Sequence, residues 1–209
     1  MPKPHPRLLD LIAGLTLLPV LLSPALAQMQ SPGLGSPVPL PQGVQIGRAH
    51  FPPGDTTVGG NGQTVDGIEG SSREMLKVHV HAHLSLFYKG EQIAIPMAIG
   101  IIRPFHEQNG FVGDGRGFYW LHTHDATDII HIESPDQRQY TLGNFFDVWG
   151  QPLAAHNVAG LKGAVRALVD GRIYMGKARD IPLKAHEQIT LVVGEPMPQV
   201  PQYVFPEGL

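Results

Sequence analysis

The chain contains no cysteine among its 209 residues. This absence excludes disulfide bonds, thiolate metal sites, iron–sulfur clusters and cysteine nucleophiles. Charged side chains make up only 16% of the chain, against about 25% in an average globular domain. The formal net charge is −3. The basic surplus that is typical of nucleic-acid-binding proteins is therefore missing, and we expect no nucleic-acid partner.

The sequence also lacks the short motifs of several large enzyme classes. It has no Gly-x-Ser-x-Gly nucleophile elbow, no P-loop and no His-Glu-x-x-His zinc motif. Motifs alone therefore do not decide whether the chain is an enzyme.

Residues 1–27 have the pattern of a cleaved signal peptide. Lys3 and Arg7 form a positive start, the apolar run at 11–22 follows, and Ala25-Leu26-Ala27 is a small-x-small cleavage site. The apolar run is shorter than the roughly 20 residues that a membrane span needs. We therefore expect a periplasmic or extracellular protein with no stable membrane span after cleavage.

Composition divides the rest of the chain into three parts. Residues 28–73 are rich in Gly and Pro and predict a mostly irregular linker. Residues 74–195 have the apolar patterning of a single globular domain. Residues 196–209 form a Pro-rich C-terminal tail, which we expect not to extend the last strand of the domain.

Apolar periodicity predicts a domain built mostly of strands. Val78 to Tyr88 alternates over its whole length, which is the pattern of a strand with two different faces. Residues 142–149 have apolar side chains at helical spacing and predict one short helix, with Thr141 as N-cap and Gly150 after its end. The other expected elements are strands at 91–97, 118–124, 129–134 and 189–193, and a hairpin at 165–174 around Asp170-Gly171.

This order of elements favours the α+β fold class, as a small mixed β-sheet with one short helix in a β-grasp-like plan. An all-β barrel or a cupin-like sandwich is the alternative. In either case we expect the even-numbered stripe of the first strand to be buried against the later strands and the helix. That expected core consists of Val80, Leu84, Leu86, Ile130, Ile132, Phe145 and Trp149.

Histidine is abundant, with 11 residues in the chain. Three predicted strands place their histidines opposite an apolar stripe, so the imidazoles of neighbouring strands converge on one surface. Residues i and i+2 of a strand lie about 6.6 Å apart, and two such imidazoles can lean onto one ion at about 2.0–2.1 Å. The sequence therefore predicts a metal site. Its expected ligands are His81, His83, His122, His124, His131 and Glu133, with His79 and Asp125 as weaker candidates.

This ligand set combines imidazole and carboxylate without sulfur, which suits a transition metal ion. Copper or zinc is preferred and iron is possible. The remaining histidines of the mature chain lie in predicted loops, and we interpret them as surface residues. They are His50, His106, His156 and His186.

Two other residues near these histidines are candidates for chemistry. Glu133 could act as a general base beside a metal-bound water, although a ligand role suits it better. Trp120 lies on the histidine face of its strand and is a candidate wall of a substrate-binding site.

Four segments of the domain resemble a known group of proteins. They read HAHL at 81–84, YWLHTHD at 119–125, IHIESP at 130–135 and TLGNFFDVWG at 141–150. They are similar to a group of small exported microbial proteins of uncharacterised function, over about residues 59–195. The resemblance implies export but no particular activity. Related chains often carry a cysteine soon after a Val-Asp-Gly-Ile stretch; here residues 65–68 are followed by Glu69, so any role of that cysteine is missing.

Three functions remain open. The first is an exported metal-binding protein that buffers, carries or stores a transition metal on its histidine-rich sheet face. The second is a mononuclear metalloenzyme with the same face as its active site. The third is a domain that binds a non-metal ligand or a protein partner through the histidines.

The signal-peptide pattern makes a prediction about the mature chain. Protein recovered from the periplasm or the medium should begin at or near Gln28, because cleavage follows the small-x-small site. N-terminal sequencing or intact-mass measurement checks this, and a retained Met1 would contradict it.

Overall fold

The computed structural model describes Met1 and residues 33–209. The expected signal peptide and its cleavage site therefore lie outside the described residues. The strands of the described part are β1 (Leu34–Pro39), β2 (Gly70–Ser71), β3 (Val78–Tyr88), β4 (Glu91–Ile93), β5 (Ile101–Ile102), β6 (Gly117–Tyr119), β7 (Leu121–His122), β8 (Ile129–Ser134), β9 (Leu153–Ala154), β10 (Asn157–Val158), β11 (Leu161–Lys162), β12 (Val165–Val169), β13 (Arg172–Ile173), β14 (Gln188–Val193) and β15 (Val200–Val204). The helix α1 spans Leu142–Trp149, and a 3₁₀ turn spans Ala178–Asp180.

A seven-stranded mixed sheet forms the centre of the molecule. Its order is β13-β12-β14-β3-β8-β7, and β4 also pairs with β3. The pairing of β14 with β3 is parallel, and the other pairings of this sheet are antiparallel. The longest strand, β3, therefore lies in the interior of the sheet, between β14 and β8.

The alternation in β3 separates two different layers. Leu84 and Leu86, on its even-numbered face, are fully buried in the core cluster that also contains the apolar side chains of helix α1. Its odd-numbered side chains face the opposite layer, where Phe87 packs against Val200 of β15. The expected core is confirmed at Leu84, Leu86, Ile130, Ile132, Phe145 and Trp149, and Val80 is half-buried.

Helix α1 is confirmed with the predicted bounds. The Thr141 side chain accepts a hydrogen bond from the Asn144 amide, and the Asn144 side chain accepts one from the Thr141 amide. This reciprocal pair satisfies two free donors at the helix start. Gly150 ends the helix with φ 74°, in the left-handed region where glycine is favoured.

The hairpin at Asp170-Gly171 is also confirmed. Both turn residues have positive φ, 48° for Asp170 and 74° for Gly171. Such a turn matches the twist of the flanking strands β12 and β13. The strand expected at 129–134 is confirmed as β8, and that at 189–193 as β14 with one more residue.

Two predicted strands were wrong in extent. The strand expected at 118–124 is broken at Trp120 into β6 and β7, which belong to different sheets. The strand expected at 91–97 ends at Ile93, because the Ile95 amide donates to the Asp128 carboxylate at 2.7 Å instead of continuing the ladder.

The segments on either side of the expected domain contribute strands. The segment expected to be mostly irregular contains β1, and the Pro-rich tail, which does not extend β14, contains β15; these two strands pair in parallel as a separate sheet. We call these two strands and the adjoining segments 40–48 and 205–209 the cover, because they lie over the odd-numbered face of β3. The ring of Tyr203 in the cover lies 4.3 Å from the ring of His83.

The described chain is thus rich in strands, with one α-helix and several open sheets. No closed barrel forms among residues 33–209, which removes that alternative for this part of the chain. Within the same residues, no helix has the length and apolar character needed to cross a membrane.

Asp55 is a buried acid away from the histidines. Its Oδ1 accepts a hydrogen bond from the Gly100 amide at 2.9 Å, while its Oδ2 is enclosed without a partner. Burial raises the pKa of Asp55 to about 8, although the Gly100 amide and Arg103 oppose the shift. Between the unfolded and folded pKa values the native state holds a proton that the unfolded chain has lost. Stability should therefore fall as pH rises from about 4 to 8.

We predict that Asp55→Asn removes this part of the pH dependence. Its melting temperature relative to the parent should rise by several degrees between pH 5 and pH 9. A pKa raised to about 8 is worth several kcal/mol over that interval, and each 1 kcal/mol shifts the midpoint by roughly 2–4 °C in a domain of this size. Calorimetry in the presence of a chelator checks this. A difference that stays constant with pH would contradict the raised pKa.

Candidate metal centre

The register of three neighbouring strands brings the histidines together. In the pairing of β3 with β8, His81 lies opposite His131 and His79 lies opposite Glu133. In the pairing of β7 with β8, His122 also lies opposite His131. Directly opposite residues point to the same face of a sheet. The three strands therefore form a row of three imidazoles, with a second row of imidazole and carboxylate beside it.

His124 joins the row from the loop after β7. Its Nδ1 lies 2.7 Å from the Val112 carbonyl oxygen. Its ring stacks on Phe111, with 4.8 Å between centroids and 15° between planes. The loop at 111–112 therefore holds this imidazole in place, although the residue is outside the strand.

The donor atoms form two overlapping groups of four. In each group, one ligand atom from every residue lies within 4.8 Å of the others. The first group is His122, His124, His131 and Glu133, and the second is His79, His81, His131 and Glu133. Ligands of a shared ion at about 2.0–2.2 Å from it have donor atoms roughly 3–4 Å apart. Both groups are close enough to meet that geometry with small adjustments.

The two imidazoles of His122 and His124 have the arrangement of metal ligands. The His122 Nδ1 lies 2.8 Å from the Tyr119 carbonyl oxygen, just as the His124 Nδ1 contacts the Val112 carbonyl. A carbonyl only accepts, so each Nδ1 carries a hydrogen. The neutral His122 ring therefore presents a lone pair at Nε2, whereas the Nε2 of His124 carries a proton toward Glu74 when that imidazole is charged. The two Nε2 atoms face each other at 3.1 Å. A cation or a proton between them is needed to offset the repulsion, and backbone-held Nδ1–H groups are typical of metal-binding histidines.

Glu133 lies at the centre of the cluster. Its Oε1 is 3.2 Å from His79 Nε2, 3.3 Å from His131 Nδ1 and 3.9 Å from His122 Nε2. Its Oε2 is enclosed without a hydrogen-bond partner. Burial and the nearby Glu74 carboxylate raise the pKa of Glu133 to about 7. This carboxylate is therefore poorly stabilised by the protein alone, and a cation would stabilise it.

Burial keeps most of the imidazoles neutral. It lowers the pKa of His122 to about 3, lowers that of His81 to about 4 together with nearby imidazoles, and lowers the pKa of His131 well below its usual value. Burial also acts on His124, but hydrogen bonds with Glu74 and the Val112 carbonyl outweigh it and raise that pKa. Neutral imidazole is the form that coordinates metals, so protons compete weakly for most of this site at neutral pH.

Glu74 is a member of the site that the sequence pattern did not reveal. Its Oε1 lies 3.4 Å from His124 Nε2. That hydrogen bond lowers the pKa of Glu74 despite its partial burial. The residue precedes β3 in a segment without alternation, so no periodicity marks it. Only the folded chain brings it beside the histidines.

Three sequence-predicted site residues lie outside the two groups: His83, Asp125 and Trp120. His83 is on the same face of β3 but is enclosed under Tyr203. Asp125 uses its carboxylate within the loop, accepting from the Gly43 amide at 2.8 Å and the Thr127 amide at 3.1 Å.

Trp120, the candidate wall of a substrate site, packs in the core instead. Its ring lies 6.4 Å from that of Tyr140, and it is not among the pocket-lining residues. The four loop histidines, His50, His106, His156 and His186, are confirmed as exposed.

A pocket of about 380 Å³ opens onto the cluster. Its floor includes His79, His124, His131 and Glu133, with Glu74 at the side. The cover forms one wall and the loop at 111–113 another. Members of both groups are therefore reachable from outside, although His81 and His122 lie behind the lining residues.

Comparison with family models, curated proteins and solved structures finds no match to this chain. The argument for function therefore depends on the site itself.

The hydrogen bond between His122 and the Tyr119 carbonyl fixes a tautomer that can be measured. We predict that His122 without metal is a neutral imidazole with its proton on Nδ1 throughout pH 5–8, because burial lowers its pKa to about 3. Long-range ¹H–¹⁵N correlation spectra report the tautomer, with exposed His156 as the control. An Nε2–H form, or titration near the ordinary value of about 6.5, would contradict the arrangement.

Proposed function

We propose that this protein binds a transition metal ion through His122, His124, His131 and Glu133. The observation that carries the proposal is the pair of Nε2 atoms at 3.1 Å, each on a ring whose Nδ1 contacts a backbone carbonyl. Three imidazoles and a carboxylate suit copper or zinc best, and iron is compatible. The convergence of donor atoms within 4.8 Å favours metal binding over a ligand groove lined by separate histidines.

Burial of the proposed ligands limits how fast a bound metal ion would exchange with solvent. His122 and Glu133 are 0% and 3% exposed, so exchange of a bound ion requires access through the pocket. A shallow surface site would release an ion more readily. The enclosed site is better suited to storage or to a resident metal than to rapid carriage between partners.

A second candidate function is a metalloenzyme with the same centre. The pocket of about 380 Å³ favours it, because His124, His131 and Glu133 line a space large enough for a small molecule beside the ion. Glu133 lies at the edge of that space. In an enzyme, Glu133 would act either as a ligand of the ion or as a general base that takes a proton from a metal-bound water.

Two further expectations belong to this proposal. Export by a cleaved signal peptide would place the site in an envelope or extracellular compartment. A β-grasp-like plan would describe the fold, and the mixed central sheet with one helix on one face supports it.

The proposal predicts tight metal binding that depends on two histidines. In His122→Ala/His124→Ala, affinity for Zn(II) and Cu(II) should fall by more than about 100-fold, since even the hydrogen-bond partners of ligands contribute about 10–100-fold. In the parent, free metal at 100 times Kd should stabilise the fold by about 2.7 kcal/mol. Competition titrations and thermal melts measure both effects, and circular dichroism checks that the variant folds.

The matched control is His83→Ala, which removes an equally enclosed imidazole of the same sheet face from outside both groups. It should keep metal affinity. Equal binding by the parent and the double variant would refute the site, and His124→Gln replaces the double variant if that variant does not fold. On Co(II)-loaded protein, a spectral change on adding azide would indicate an open coordination position and favour the enzyme.

A further inference from the structure

The cluster contains more donors than one ion uses. Beyond the four residues of the proposed site, it brings His79 and His81 into a second group that shares His131 and Glu133. Glu74 adds another carboxylate 3.4 Å from His124 Nε2. A zinc ion usually takes four protein or water ligands. A single ion therefore leaves several converging donors without a function.

The second group shows unpartnered atoms of its own. The Nε2 of His81 is enclosed and has no hydrogen-bond partner. The ring of His81 lies 4.8 Å from that of His79 and 4.5 Å from that of His131. A buried polar atom without a partner is unfavourable. Coordination of an ion on this side would satisfy the His81 ring, as it does the His122 ring on the other side.

Glu133 is placed to serve both groups. Its Oε1 has His79 Nε2 at 3.2 Å on one side and His122 Nε2 at 3.9 Å on the other. Its second oxygen is enclosed and unpartnered. A carboxylate has two oxygens with lone pairs directed away from each other, so it can bind two ions at once. Two-metal sites hold their ions about 3.5–4 Å apart, a separation that a bridging carboxylate spans.

We propose that the centre binds two transition metal ions bridged by Glu133. This inference rests on the proposed function and extends it. One ion is held by His122 and His124 with Glu74 nearby, and the other by His79 and His81. His131 completes either half.

The pocket and the local charge are consistent with two ions. His79 and His124, one from each half, both line the pocket, as does Glu133 between them. His79 is 42% exposed as a side chain, so its half lies nearer the surface than the half with His122. The carboxylates of Glu74 and Glu133 offset part of the repulsion between the two cations.

The proposal is tested by counting the zinc ions that the parent binds and the ions that remain when the ligands of one half are removed. Native mass spectrometry of the full mature chain titrated with Zn(II) should show two ions in the parent. It should show one ion in His79→Ala/His81→Ala and one in His122→Ala/His124→Ala. A parent that binds one ion, which His79→Ala/His81→Ala retains, overturns the second position and leaves the proposed function standing. A parent that binds none overturns both.

Proximity is tested by loading Cu(II). Two bridged Cu(II) ions should couple, so the parent with two equivalents should give a weakened or broadened EPR signal, while each half variant gives the signal of one isolated ion. Glu133→Gln keeps the shape of the side chain but removes its charge, and it should lose the coupling or one ion even if the alanine variants fold poorly. Two uncoupled signals in the parent would overturn the bridge.

Discussion

The alignment of β3, β8 and β7 is the constraint on which the site depends. His81, His131 and His122 lie directly opposite one another across these three strands. Because strand side chains alternate, a shift of one residue would place these imidazoles against helix α1 and turn Ile130 and Ile132 to the other face. The apolar stripe fixes the register by burial. The same register then gathers the histidines, so the packing of one face determines the chemistry of the other.

Without a bound cation, the buried polar atoms of the histidine cluster are energetically unfavourable. The cluster has enclosed, unpartnered atoms on His81 and Glu133, and the Nε2 atoms of His122 and His124 face each other at 3.1 Å. Buried polar groups are normally hydrogen-bonded, and exceptions ask for an explanation. Satisfied backbone contacts at each Nδ1 show that the rings of His122 and His124 are held in place rather than left loose. Rigid rings whose Nε2 atoms are directed at one another are what a cation-binding site requires.

Much of this could be predicted from the alternation of residues. Periodicity predicted the bounds of α1 and β8, the turn at Asp170, and the face on which the histidines lie. It could not predict the break at Trp120, which depends on hydrogen bonds between distant segments. It also could not separate His83 from His81, because both share a face of β3. What distinguishes them is the position of Tyr203 in a segment 120 residues later, which no local pattern encodes.

The cover explains how a buried site can still exchange with solvent. Its segment at 43–48 is attached by backbone hydrogen bonds, from the Ile46 amide to the Ala126 carbonyl and from the Arg48 amide to the Gln92 carbonyl. Tyr203 of the cover encloses His83, and the pocket opens between the cover and Phe111 over His79, His124 and Glu133. A small ion can therefore reach His79, His124 and Glu133 without unfolding of the sheet. The same layer that lowers the pKa of the imidazoles by burial thus leaves a defined route to them, and this combination suits a site that loads a metal and retains it.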